Sequence, residues 1–196
     1  MYRPALVTAP ATMPVTLAEA KAQMRVDHSD DDTLIASLIS AVTDHLDGWT
    51  GILGRCLVEQ QWRQDFDCFR RCLPLPLGPV SSVLSVKWRN RAGVESAIDE
   101  NAYSLLLDAG GQAHTRFNDG FTAPGDLAEK AAVSVTYKAG YPTTDDKSTV
   151  PPAIKAAILL HVAHLFQNRE AVAENALAEL PMGVDALLTP YRAMRI

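Results

Sequence analysis

One stretch, Ser29–Trp49, constrains the fold of this chain most, because its apolar residues recur at the spacing of a helix. Ser29 can cap the first turn, and the acidic run Asp30–Asp32 suits the positive end of the helix dipole. The pattern predicts a long amphipathic helix with Trp49 packed in the core, and other helices must cover its apolar stripe. The residues that share this helical face are Leu34, Ile35, Leu38, Ile39, Val42, Leu46 and Trp49.

Two other stretches can supply those partner helices. Thr16–Glu19 has the capping-box pattern, in which the Thr hydroxyl and the Glu carboxylate each satisfy a backbone amide. It predicts a short helix that ends near Met24 and forms an αα-hairpin with the long helix. Pro151-Pro152 suits a helix start, and the apolar residues from Ile154 to Phe166 predict a third helix near the C-terminus.

The middle of the chain changes from helical to alternating periodicity. The proline-rich stretch Leu73–Pro79 predicts a stiff connector rather than a strand, because proline removes backbone donors. Glycine-rich and Asn-rich turns separate the remaining segments. The predicted strands are Val58–Phe66, Val83–Arg89, Tyr103–Leu107 and Ala132–Lys138.

Together these patterns predict an α+β fold with one discontinuous domain. Residues 1–56 and 150–196 form a helical core, the αα-hairpin plus the long C-terminal helix, and residues 57–149 form an inserted, mostly antiparallel β-module. Residues 1–15 contain three prolines and are predicted to be extended. This segment is either a frayed terminus or an arm that packs on a neighbouring subunit.

Reactive side chains do not assemble into a recognisable site, so no catalytic, cofactor-binding or metal-binding residue is predicted. His161 and His164 are three residues apart, whereas zinc-binding histidines on a helix are usually four apart with a Glu between them. We expect one core and one surface histidine. Asp30–Asp32 lacks the alternating ligands and the Gly of a calcium loop, so helix capping explains it better.

Charge and cysteine content narrow the functional class further. The formal net charge of −5 disfavours general nucleic-acid binding, which relies on Lys and Arg. Cys56, Cys68 and Cys72 are an odd set that predicts free thiols in a reducing compartment. The N-terminus lacks the apolar run of a signal peptide, so we expect synthesis in the cytoplasm.

Several motifs, in the same order, resemble those of tailed-phage head–tail connector proteins, also called adaptor or head-completion proteins. The C-terminal pattern Gly183–Arg192 resembles the family ending of two leucines followed by Pro-Tyr-Arg. The β-module resembles the longer members found in siphovirus-like prophages and gene transfer agents. The other matching motifs are Leu17–Met24, Arg25–His28, Asp30–Asp32, Trp49–Gly51, Leu75–Val80 and Pro151–Lys155.

The resemblance implies a structural role without catalysis or cofactor. Such proteins form a ring of about twelve subunits under the portal protein, extend the DNA channel and dock the next, stopper-like tail-completion protein. DNA passes through the lumen without specific binding. The implied location is the head–tail junction of a virion, after synthesis in the bacterial cytoplasm.

The C-terminal tail is the predicted portal contact. Pro190 should end the last short helix, Gly183–Leu188, so that the tail projects. Tyr and Arg commonly anchor interfaces, whereas the simplest alternative is a frayed end. The predicted portal-binding residues are Tyr191, Arg192, Met194, Arg195 and Ile196.

Two other functional classes remain open from the sequence. A DNA-packaging or DNA-binding factor would fit the long helices but should show a basic surface. A small metal-dependent hydrolase would require a site that includes His161.

Overall fold

The chain divides into two compact units, each with its own elements. The computed structural model describes residues 2–144, 147–168 and 182–193. The β unit comprises Met1–Ala11 and Glu59–Gly140, and the helical unit comprises Thr12–Val58 and Tyr141–Ile196. The predicted α+β fold is confirmed. The first eleven residues, which the sequence placed with the helices, group instead with the β unit.

The described part of the helical unit contains four α-helices: α1 (Leu17–Met24), α2 (Asp32–Leu46), α3 (Pro152–Gln167) and α4 (Met182–Leu188). The predicted capping box of α1 is confirmed. The Glu19 N–H donates to Thr16 Oγ1 (3.1 Å), and the Thr16 N–H donates to Glu19 Oε2 (2.6 Å). This carboxylate is stabilised mainly by the Thr16 backbone N–H, which lowers the pKa of Glu19.

The long helix is shorter at both ends than the sequence predicts. Asp31, not Ser29, occupies the cap position of α2, and Ser29 contributes its backbone carbonyl to the Asp32 N–H (3.2 Å). The helix ends at Leu46, so Trp49 lies beyond it and is half-buried rather than part of the apolar core. The chain folds back so tightly there that a Cβ on Gly51 would lie 2.4 Å from the Leu46 carbonyl oxygen.

The core of the helical unit is one apolar cluster to which every helix contributes. From α2 come Ile35, Ile39, Val42 and Leu46, and from α3 come Ile154, Ala157, Ile158 and Val162. Burying each large aliphatic side chain contributes about 1.5–3 kcal/mol. The remaining buried members are Val15, Ala20, Leu53, Leu57, Val58, Val150, Val184 and Leu188.

The chain leaves the helical unit and returns to it at one point. Val58 and Tyr141 form a parallel bridge, and the Tyr141 N–H donates to the Leu57 carbonyl (3.3 Å). Because the two ends are adjacent, the residues between them can be inserted without separating the helices. A two-stranded ribbon of Thr143–Thr144 and Lys147–Ser148 follows in the helical unit.

The β unit contains two antiparallel sheets. One has the order β1-β2-β8-β4-β5, and the other has the order β3-β7-β6. The strands are β1 (Ala5–Thr8), β2 (Gln60–Phe66), β3 (Cys72–Leu75), β4 (Val80–Arg89), β5 (Glu95–Ala97), β6 (Tyr103–Leu107), β7 (Ala113–Phe117) and β8 (Val133–Ala139).

Four strands of the β unit differ from the sequence-based expectation, and one of them is the short strand β5, which was not predicted. Ala5–Thr8 is not a frayed terminus, because it pairs with Gln61–Arg63 of its own chain. Cys72–Leu75 is a strand despite Pro74, since an edge strand has a partner on one side only and tolerates a missing donor. Ala113–Phe117 was not predicted at all.

A pair of substitutions in α3 tests which helix face carries the stability of the helical unit. Ile158→Ala removes a side chain that is 0% exposed and should lower the free energy of unfolding by about 2–5 kcal/mol. Leu160→Ala, at a residue that is 37% exposed, is the matched control and should cost much less. Urea denaturation measures both, and equal losses would contradict the assigned face.

Candidate functional site

The C-terminal segment is held against the helical unit. After α4 the chain continues as a 3₁₀ turn, Thr189–Tyr191, with Pro190 inside it. Tyr191 is half-buried and packs against the apolar cluster of the helical unit. The guanidinium carbon of Arg55 lies 6.0 Å from the centroid of the Tyr191 ring, which is at the limit of a cation–π contact.

Two polar contacts extend this attachment to the end of the described segment. The Ala193 N–H donates to the carbonyl of Leu53 (2.8 Å), and Leu53 is fully buried. Arg192 Nη2 donates to Asp185 Oδ1 (2.5 Å) in an exposed ion pair. The chain is therefore fixed in position as far as Ala193.

The expectation that the tail projects from Tyr191 onward is wrong for the described part of the tail. Proline fits the first turn of a helix, where its missing N–H costs nothing, so Pro190 continues the helical path as a 3₁₀ turn. Of the five predicted portal-binding residues, the structure places Tyr191 on the core and Arg192 on the surface. Met194, Arg195 and Ile196 lie outside the described residues.

An open groove lies between the C-terminal end of α1 and the outer face of α3, and the sequence analysis did not identify it. Its volume is about 510 Å³. The apolar part of its wall comes from Met24, Leu160 and Ala163, and the polar part includes Arg25 and His164. Helical periodicity alone could have placed Leu160 away from the core stripe, but only the fold brings Met24 beside it.

Three histidines lie near one another on α2 and α3. The rings of His45 and His161 are edge to face, with centroids 6.3 Å apart. Both His161 and His164 are half-buried, so the expected division into one core and one surface histidine is wrong. Burial, followed by the neighbouring His45 and His164, lowers the pKa of His161 below its usual value of 6.5.

The outward face of the five-stranded sheet carries mixed charges. Arg63 pairs with Asp65 (3.1 Å), and Lys138 pairs with Glu59 (2.8 Å). A shallow cavity of about 150 Å³ on the same sheet is lined by both signs of charge, including Lys87, Arg89 and Glu95. Because acidic neighbours accompany the basic side chains, this face does not form the single-sign patch that phosphate backbones attract.

Metal and membrane features are absent from the described ranges. Among residues 2–144, 147–168 and 182–193, no three His, Cys, Asp or Glu side chains are placed to hold a metal ion. Within the same ranges, no helix has the length and apolar character to span a membrane. Cys56, Cys68 and Cys72 are not joined by disulfides, and Cys56 is buried.

Residues 14–101 match the family model described as Phage gp6-like head-tail connector protein. This segment, just under half of the chain, is therefore similar to phage head–tail connectors. The match confirms the resemblance that the sequence motifs indicated, and it begins just before the capping box and extends through α1, α2 and β5. No curated protein sequence matches the chain.

Three solved structures of gene transfer agent (GTA) particles share the fold, each at 21% sequence identity. One is a chain in the neck of an empty GTA particle, computed with C6 symmetry. The match covers 100% of this chain and 97% of that chain, with a TM-score of 0.76. A chain in the virion of a native GTA particle has the same coverage and a TM-score of 0.77. A chain in the neck of a native GTA particle, computed with C12 symmetry, has a TM-score of 0.60, and the match covers 97% of both chains.

The contacts of Tyr191 predict a structural contribution from this residue. Tyr191→Ala should lower the free energy of unfolding by about 1–3 kcal/mol, because it removes an aromatic ring from the edge of the apolar cluster. Arg192→Ala breaks only an exposed ion pair and should cost less than about 1 kcal/mol. If thermal melting showed no difference between the two variants, the packing of Tyr191 would not stabilise the unit.

His161 predicts loss of stability on acidification. Its pKa is lower in the folded chain than in the unfolded chain, so the unfolded state binds the proton first. The contribution of neutral His161 to the free energy of unfolding is therefore fully present above pH 6.5, and it is lost as the pH falls below that value. Melting temperatures at pH 7.5 and 5.5 should differ more for the wild type than for His161→Gln, and an equal difference would contradict this assignment.

Proposed function

We propose that this protein is a structural head–tail connector of a phage-like particle. The observation that carries the proposal is the head-tail connector family match over residues 14–101. The fold shared over the full chain with proteins in the neck of a GTA particle supports it. In this role the protein lies at the head–tail junction of the virion, after synthesis in the bacterial cytoplasm, and catalyses no reaction.

The proposed assembly is a ring of about twelve copies beneath the portal protein. The C12 symmetry of a neck that contains a similar chain supports this number. A head-to-tail contact between identical subunits closes into a ring without any self-complementary patch. A portal ring holds neighbouring copies at high effective concentration, so weak lateral contacts are sufficient. The opposite side of the ring docks the stopper-like tail-completion protein.

The proposed portal contact is the end of the C-terminal tail. The attachment of Ala193 to Leu53 gives residues 194–196 a fixed starting point on the helical unit. Met194, Arg195 and Ile196 combine a positive charge with two apolar side chains, and the exposed Arg192 precedes them. Tyr191, as the residue that anchors the segment to the core, positions this contact.

DNA passes through the proposed ring without specific binding. The net charge of −5 and the paired charges Arg63–Asp65 and Lys138–Glu59 support this. A DNA-packaging factor would need unpaired Lys and Arg side chains on one surface to displace counterions from phosphates.

Truncation after Ala193 tests the portal contact. The truncated chain keeps Tyr191 and its hydrogen bond at Ala193, so its circular dichroism and melting should match those of the full chain. Its co-sedimentation with portal rings should be lost, because the proposed contact residues are gone.

Two controls make this result specific. Arg91→Ala removes one positive charge from an exposed residue of the β unit and should leave portal binding unchanged. Arg195→Ala should weaken it. Native-like binding by the truncated chain would show that the portal contact lies elsewhere.

A further inference from the structure

The two sheets of the β unit differ in how their edges are protected. Among the residues that the structure describes, these sheets have four edge strands: β1, β5, β3 and β6. Exposed edges attract other strands, and proteins usually protect them with prolines, charges, short strands or bulges. Pro74 lies in β3, and β5 is only three residues long and carries Glu95.

Strand β6 has none of these protections. Tyr103–Leu107 contains neither a charge nor a proline, and its five residues pair with β7 in an unbroken register. The Asp108 N–H donates to the Gln112 carbonyl (3.0 Å). In an antiparallel pair, every second residue directs its backbone N–H and C=O groups toward the partner strand. Because Asp108 does so, the backbone groups of Leu105 and Leu107 point away from β7. Leu106 and Leu107 are also exposed.

Strand β1 is the other edge strand that contains neither a charge nor a proline. Its sequence is Ala-Leu-Val-Thr, and all four residues are exposed although they pair with β2 on one side. The register shifts between Leu6 and Thr8, so this edge is partly protected by an irregularity. Leu6 and Val7 are nevertheless among the exposed large apolar residues.

We propose that β6 of one subunit pairs with β1 of a second copy of this chain. The inference rests on the proposed ring, and it names the strands that make the lateral contact. Neither strand carries a charge, so pairing buries exposed leucine and valine side chains without desolvating an ionised group. The partner strand satisfies the outward backbone groups of Leu105 and Leu107.

The choice of a second copy follows from the geometry of assembly. Because β6 and β1 are different edges of one β unit, each subunit uses both edges once, and the contact can be repeated around a ring. Pairing of β6 with another β6 would stop at a dimer. A four-residue strand contact is weak by itself, so the ring forms only when a portal ring gathers the subunits.

Disulfide trapping on portal-bound rings tests this pairing. The background carries Cys68→Ser and Cys72→Ser, which removes the accessible thiols and keeps buried Cys56. Two double variants, Val7→Cys with Leu106→Cys and Val7→Cys with Leu107→Cys, cover both faces of β6, because adjacent residues point to opposite faces. A disulfide forms on addition of an oxidant only where the Cβ atoms lie about 3.5–4.5 Å apart.

The expected result is a ladder of cross-linked oligomers, seen on a denaturing gel, for at least one double variant. An equal mixture of the Val7→Cys chain with the matching single β6 variant should give dimers only, and each single variant alone should stay monomeric. Dimers from Leu106→Cys or Leu107→Cys alone would show β6–β6 pairing and overturn the proposal. Intact rings that give no cross-link when Val7→Cys is combined with a cysteine at each position of β6 in turn would overturn it as well, while leaving the connector function in place.

A charge introduced on β6 gives a second readout. Leu107→Lys, at a residue that is 54% exposed, should leave circular dichroism unchanged and reduce the number of copies bound per portal ring by more than half. Val94→Lys, at a residue that is 58% exposed and outside both strands, is the matched control and should bind as the wild type does. Equal occupancy by both variants would overturn the proposed contact, and failure of the wild type to bind portal rings would overturn the connector function with it.

Discussion

The packing of the α2 stripe against α3 is the constraint on which the helical unit depends. Ile35, Ile39, Val42 and Leu46 cannot remain in water, and α3 supplies Ile154, Ala157, Ile158 and Val162 to cover them. Since α2 and α3 are more than a hundred residues apart in sequence, the chain between them must begin and end at one point. The bridge between Val58 and Tyr141 meets that requirement, and the β unit is the insertion that it permits.

The parts of the fold that depend on local chemistry could be predicted from the sequence. The capping box needs only Thr16 and Glu19 three residues apart. Pro152 suits a helix start because its missing backbone N–H would have no partner there. Strand pairing is not local, which explains why β1 and β7 were missed. Pro74 excludes a central strand but not an edge strand, and the sequence does not reveal which strand lies at an edge.

The candidate site shows the same limit. Pro190 was interpreted as a stop, yet the path of the chain after it is set by tertiary contacts of Tyr191 with the apolar cluster and of Ala193 with Leu53. The segment itself is singled out by its resemblance to the connector ending, and its role in portal binding stays a prediction. It could not identify the His45–His161 contact, because one ring comes from α2 and the other from α3.

Electron microscopy of the particle neck tests the central claim of a connector ring most directly. The account predicts a closed ring of about twelve copies of this chain between the portal and the next tail protein, with the C-terminal ends of the chains directed at the portal. Particles in which the chain is absent from the neck, or is bound as scattered single copies along DNA, would contradict it.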